Sequence, residues 1–215
     1  MRASETELST IAGLVRVENA AIGEVMRSVQ ENTKDSYSHE EIYGDYCTLQ
    51  GYVDAPPRDV YEYLADMKSQ EEYTYSVRDL EPVDDTGLYV GWDRLSGKTR
   101  IYVRIEANPQ ALTVDYHAAW DQGEDLWMIY LFRVVDAQTV FKRPGSVILW
   151  TNCHHPYYEK NPYPELSPGP DRRWVGDFWG AFYAGHKIEL ENIKVIMEHR
   201  HHQGIPITPA AVSGA

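Results

Sequence analysis

An α+β fold is predicted, in which a curved antiparallel sheet of about six to seven strands wraps one long C-terminal helix and an extra helix precedes the sheet. Three observations predict it. Between Asp45 and Cys153, apolar and polar residues alternate in a series of short segments. Most of these segments are joined by turns too short for the crossovers that parallel strands require, so neighbours in sequence are antiparallel neighbours in space. From Asp171 to about Gln203 the chain has no proline and returns to helical periodicity, a rod of roughly 50 Å at about 1.5 Å per residue. It is the one element long enough to cover the apolar face of such a sheet. The chain divides accordingly into a helical extension and linker (1–44), a sheet-and-helix domain (45–203) and a tail expected to be disordered (204–215).

Composition sets the outer limits. At 215 residues, 43% hydrophobic and 25% charged, the chain can build one sizeable core. A formal charge of −13 repels phosphates and argues against a nucleic-acid partner. No apolar run is long enough to span a bilayer. The opening MRASETELST carries Glu5 and Glu7 where a secretory signal needs a basic start and an apolar run, so a cytoplasmic protein is expected. Two cysteines, Cys47 and Cys153, read as buried thiols, with no zinc-like spacing. The unusual total is aromatic, with 16 Tyr and 6 Trp against 4 Phe. Such residues combine an apolar body with a polar tip and suit a cavity or an interface.

Taken in order, residues 5–30 read as one helix, with Leu8, Ile11, Val15, Ile22, Val25 and Val29 on a narrow stripe behind a Ser4–Glu7 capping box. That stripe either docks on its own domain or forms a homodimer seam. Residues 31–44 read as linker. The first strand holds Cys47, Leu49 and Val53 on one face and ends at Asp54-Ala55-Pro56-Pro57, where proline stops a ladder and starts a helix carrying Val60, Tyr61, Leu64 and Met67. A further short helix is expected over 69–78. Strands follow at Gly87 to Leu95, with Leu88, Val90 and Trp92 on one face, then at Thr99 to Ala107, Ala111 to Trp120, Leu126 to Ala137 and Ser146 to Cys153. A loop with Pro156, Pro162, Pro164, Pro168 and Pro170 precedes the long helix, which Gly204 stops.

The segment Val53-Asp54-Ala55-Pro56-Pro57-Arg58-Asp59-Val60-Tyr61-Glu62-Tyr63-Leu64-Ala65-Asp66 is similar to the first strand-to-helix signature of the START/Bet v 1-like (SRPBCC) superfamily, the helix-grip fold that includes polyketide cyclases and aromatases. The resemblance spans residues 45–203. It implies a cavity between sheet and helix for a small hydrophobic or aromatic ligand, with no cofactor. It also implies that the first and last strands are neighbours, bringing Cys47 and Cys153 near one another. The superfamily has no universal catalytic motif, so the chemistry must be sought residue by residue.

The long helix is where that search leads. Trp174, Val175, Phe178, Trp179 and Phe182 share an arc with Ile193, Ile196 and Met197, and on the same arc fall His186 and Glu189, beside Gly185. At i and i+3 their side chains can touch. Glu189 favours a protonated imidazole and burial opposes it, which suits His186 and Glu189 to proton transfer, unless the pair merely satisfies itself. His154 ends the last strand with Trp150 and Asn152 on its face, either facing a cavity mouth or lying at the surface. Trp92, Tyr116, Trp120 and Trp150, with Phe178 and Phe182, are either plain core or the walls of a flat slot for an aromatic ligand. The activity that the resemblance implies is a cofactor-independent cyclisation, aromatisation or dehydration, as in antibiotic and other secondary metabolism. The alternatives are a non-catalytic carrier or sensor and a protein-interaction module using the N-terminal helix.

Overall fold

In the computed structural model, residues 5–36, 45–94, 99–120, 125–166, 174 and 179–207 are described. Seven antiparallel strands form a single sheet in the order β1-β7-β6-β5-β4-β3-β2. They are β1 (Tyr46–Val53), β2 (Val77–Pro82), β3 (Tyr89–Asp93), β4 (Thr99–Asn108), β5 (Thr113–Trp120), β6 (Met128–Asp136) and β7 (Ser146–Cys153). The helices are α1 (Glu5–Thr10), α2 (Ile22–Ser36), α3 (Pro57–Ala65), α4 (Gln70–Tyr73), α5 (Ala137–Phe141) and α6 (Trp179–Gln203). Pro57 occupies the first turn of α3, where its missing N–H costs no hydrogen bond. At the far end Gly204 adopts φ +64, and Ile205 N donates to Arg200 O at 2.9 Å, closing α6 with a left-handed cap. The long helix crosses the inner face of the sheet, where Ile193, Ile196 and Met197 are fully buried. Gly51 of β1 leaves room for Leu190, whose side chain would lie 3.4 Å from an added Cβ.

Four expectations are corrected. The N-terminal stripe is not one helix: α1 stops at Thr10, Gly13 takes φ +82, and α2 begins at Ile22. The intervening turn brings Val15, Arg16 and Val17 against the body of the protein. Of the segment 70–78 only Gln70–Tyr73 is helical. Thr74 Oγ1 donates to Gln70 O at 2.6 Å and accepts from Val77 N at 3.2 Å, ending α4 after one turn and launching β2. Strand β2 escaped the alternation test because its pairing with β3 shifts register between Arg78 and Glu81, with Asp79 at φ +57. Helix α6 starts at Trp179; of 171–178 only Trp174 is described, and it is not helical. Finally, β1 and β7 pair as the resemblance implied, with Cys47 opposite Asn152 and Cys153 opposite Tyr46, but only one of the two thiols is buried. Cys47 is buried and Cys153 exposed, on opposite faces of the sheet, and both are free thiols.

The N-terminal extension packs on its own chain. Leu8, Ile11, Leu14, Val25 and Val29 are buried. Asn192 of α6, itself fully buried, accepts from Val15 N at 2.9 Å and donates to Val15 O and Tyr73 O, both at 2.8 Å. One amide thus fastens extension, α4 and α6 together.

Candidate functional site

Between the sheet and α6 lies a cavity of about 90 Å³. Its sheet wall is largely aromatic, with Tyr116 and Trp120 of β5, Tyr130 and Phe132 of β6 and Trp150 of β7 beside Ile101 and Val103 of β4. Alternation along each strand places these rings on the concave face. Helix α6 contributes Phe182, His186 and Glu189 at helical spacing. Tyr73 and Tyr75, from the α4–β2 segment, and Asp93 of β3 complete the wall. Tyr75 can approach because position 185 is glycine: an added Cβ there would lie 2.9 Å from the Tyr75 hydroxyl.

Burial decides the protonation of this wall. Glu189 is 8% exposed and its carboxyl is pushed up to about 8, first by burial. A backbone hydrogen bond with Tyr75 opposes that rise, the charge of Asp93 adds to it, and the charge of Arg78 opposes it. At pH 7 Glu189 is therefore predominantly a protonated acid that can donate. His186 is pushed down to about 3 by burial alone, so its imidazole is neutral throughout the physiological range. The expectation that Glu189 would hold a proton on His186 yields to desolvation, and among the described residues no hydrogen bond joins the two. The imidazole is held instead by rings: Trp150 stacks on it with centroids 4.7 Å apart, and Tyr130 and Phe182 meet it at 5.4 and 5.1 Å. Its Nδ1 is buried without a hydrogen-bond partner. Burial raises the hydroxyls of Tyr73, Tyr75 and Tyr130 above the usual phenol range, which keeps them protonated. Tyr116 is committed elsewhere, donating to Leu64 O.

The other sequence-derived candidates are dispersed. Asn152 is buried on the same face as Trp150 but stands off the cavity wall, with neither side-chain polar atom hydrogen-bonded. His154 stacks on Trp179 at 4.5 Å and lies near Tyr158, beyond the end of the cavity. Trp92 is on the outer face, 39% exposed, with the Arg100 guanidinium 5.3 Å from its ring. The reason is Gly91, whose added Cβ would lie 2.7 Å from Arg78 O and 2.9 Å from Leu80. The bulged β2 presses on β3 there, so glycine takes the inner position and tryptophan the outer. Phe178 lies outside the described residues. Asp93, Tyr73, Tyr75, Tyr130 and Phe132 were not foreseen. Tyr130 and Phe132 alternate with Leu131 on β6, so a strict parity count from Met128 would have found them. The described part of the proline-rich loop packs beside Phe182 of the wall: Tyr158 meets Phe182 edge-on at 5.4 Å and Trp127 at 4.8 Å, and Trp174 Nε1 donates to Tyr157 O at 2.7 Å. Among the described residues no group of three or more His, Cys, Asp or Glu side chains is placed to hold a metal ion, and no helix is long and apolar enough to cross a membrane.

No family model and no curated protein matches the sequence. Solved structures do match. XoxI from Bacillus cereus is 9% identical over 72% of this chain and 96% of its own, with a TM-score of 0.51. The Zhui aromatase/cyclase from Streptomyces sp. R1128 is 16% identical over 72% of this chain and 94% of its own, at 0.49. A START superfamily protein from Mycobacterium smegmatis is 13% identical over 74% and 99%, at 0.45. The fold is a helix grip, an antiparallel sheet wrapped on one long C-terminal helix. At these identities the likeness is one of fold alone, and the chemistry of this grip rests on its own residues.

Proposed function

We propose that the protein binds a small, largely apolar or aromatic molecule between sheet and α6, and moves protons on it without a cofactor, in a cyclisation, aromatisation or dehydration. The observation that carries this reading is Glu189, a carboxyl on the wall of a cavity otherwise built mainly from aromatic and aliphatic side chains. An acid kept protonated at neutral pH can donate to a ligand carbonyl or hydroxyl as charge develops there, and a neutral imidazole beside it can accept. Protonated tyrosine hydroxyls would orient the same oxygen atoms. One such acid–base group is worth about 10² to 10⁴ in rate, with the rest supplied by holding the ligand in a reactive shape.

Binding without turnover is the second reading, favoured by the lack of a bond between His186 and Glu189 and by an imidazole too weakly basic to pull protons strongly. Native mass spectrometry of the purified protein, of Glu189→Gln and of His186→Ala separates the two. A co-purified small molecule whose mass differs between wild type and Glu189→Gln is the expected result. The same bound mass in all three proteins would make it a carrier or sensor.

A further inference from the structure

The turn between α1 and α2 is bonded to the cavity wall itself. Val17 N donates to Tyr75 O at 3.2 Å, and Arg16 donates to Glu71 O at 2.9 Å. Glu18, next along, holds Arg78 of β2 in a two-point grip, with Arg78 Nε at 2.6 Å and Nη2 at 2.5 Å from its two carboxylate oxygens. Arg78 is 4% exposed, and its Nη1 donates to Thr74 O at 2.9 Å and Val77 O at 2.6 Å. Thr74 and Val77 line the cavity. The guanidinium therefore sits directly behind the wall that Glu189 faces, with Glu18 on its far side.

The titratable and charged groups around Glu189 come from every element packed there: His186 on its own helix, Asp93 on β3, Arg78 on β2, Tyr73 and Tyr75 between α4 and β2, and Tyr130 on β6. Among the described residues Arg78 is the cation of that set. We propose that Glu18 is a positioning residue of the site: by gripping Arg78 it sets the electrostatic field at Glu189 and makes the N-terminal extension part of the functional centre. The inference rests on the reading of Glu189 as the working acid of the cavity. With Glu18 in place, the field of the guanidinium is largely cancelled by the carboxylate bound to it. Without that carboxylate, which Arg16 Nη2 also approaches at 3.5 Å, uncompensated positive charge stands behind the wall, where low polarisability screens it little. Ionised Glu189 is then favoured and the acid is lost at working pH. Removing Arg78 instead takes away a charge that stabilises the carboxylate, and acts in the opposite direction.

Carboxyl ¹³C NMR of the full chain against pH, with Glu189→Gln identifying the resonance, tests this. Glu18→Gln is expected to move the Glu189 midpoint down by about 0.5 to 1 on the pH scale, and Arg78→Met to move it up by a similar amount. Arg78→Lys, which keeps the charge, is expected to leave it near the wild-type position. A wall that was merely loosened and admitted water would move the midpoint down in every variant. Downward movement in both Glu18→Gln and Arg78→Met, or none in either, would overturn the proposal. Should Arg78→Met not fold, Glu18→Gln against Arg78→Lys decides: equal midpoints overturn it. Because the titration is the readout, retained turnover in Glu189→Gln would sink the catalytic reading while opposite movements left this one standing.

Discussion

At the scale of single residues, Glu189 and His186 act on stability in opposite senses, and both can be read from a pH series. The Glu189 carboxyl is raised from an ordinary 4.5 to about 8. Below pH 4.5 it is protonated in folded and unfolded chains alike. As pH climbs from 4.5 towards 8 the unfolded chain ionises while the folded one does not, so stability falls by up to about 1.4 kcal/mol per pH unit. His186 is lowered from 6.5 to about 3. Above pH 6.5 it is neutral in both states, and its contribution is lost as pH falls from 6.5 towards 3, because the unfolded chain takes a proton the folded one refuses. Glu189→Gln should therefore gain stability relative to wild type progressively from pH 4.5 to 8. His186→Phe, which keeps a ring between Trp150 and Tyr130, should gain it progressively below pH 6.5. Urea unfolding across pH 4 to about 8 measures both. Curves that run parallel to wild type would mean that these side chains are hydrated and titrate normally.

At the scale of elements, one amide joins the extension to α4 and α6. Asn192→Ala removes three hydrogen bonds and leaves Val15 N, Val15 O and Tyr73 O to find other partners, for an expected loss of about 3 kcal/mol or more. Hydrogen exchange should show the α1–α2 turn and the α4–β2 segment losing protection together, since both are bonded to that side chain; protection lost in the turn alone would show that the extension is not coupled to the wall. This coupling was invisible in the sequence, because it joins residues 15, 73 and 192. What was legible followed from local pattern: β7 spans Ser146–Cys153 as its alternation implied, Pro57 opens α3, and Gly204 closes α6. What was not legible had a tertiary cause. The two-residue period of β2 is broken by its bulge, the face of Trp92 is reversed by the squeeze at Gly91, and the N-terminal stripe is cut by a turn that docks Arg16. The same division holds for the site. His186, Glu189 and Phe182 could be placed on one face of a helix by counting, whereas Asp93 and Tyr75 reach the cavity only through contacts between elements.

At the scale of the molecule, cavity size and the fate of the N-terminal stripe constrain what the protein can do. A volume of about 90 Å³ is below the roughly 150 Å³ of an engineered cavity that admits benzene. Drug-sized ligands usually occupy about 300 Å³ or more. A polycyclic ligand would therefore require α6 or the Tyr158 end to move outward, while a small head group of a few heavy atoms needs no such motion. The stripe read as a candidate seam between two copies packs inside one chain at Leu8, Ile11 and Val25, which are 1%, 7% and 0% exposed. A charge at Ile11 would thus be buried without a partner rather than placed at an interface. Ile11→Asp is expected to lower the melting temperature by roughly 5–10 °C and to leave the molar mass in light scattering equal to that of wild type. A wild-type assembly that dissociates in Ile11→Asp, with the melting temperature unchanged, would instead mean that α1 leaves its own domain in solution to pair with a second copy. In that event the grip of Glu18 on Arg78 would form only in the chain whose extension stays home, and the acidity of Glu189 would depend on protein concentration.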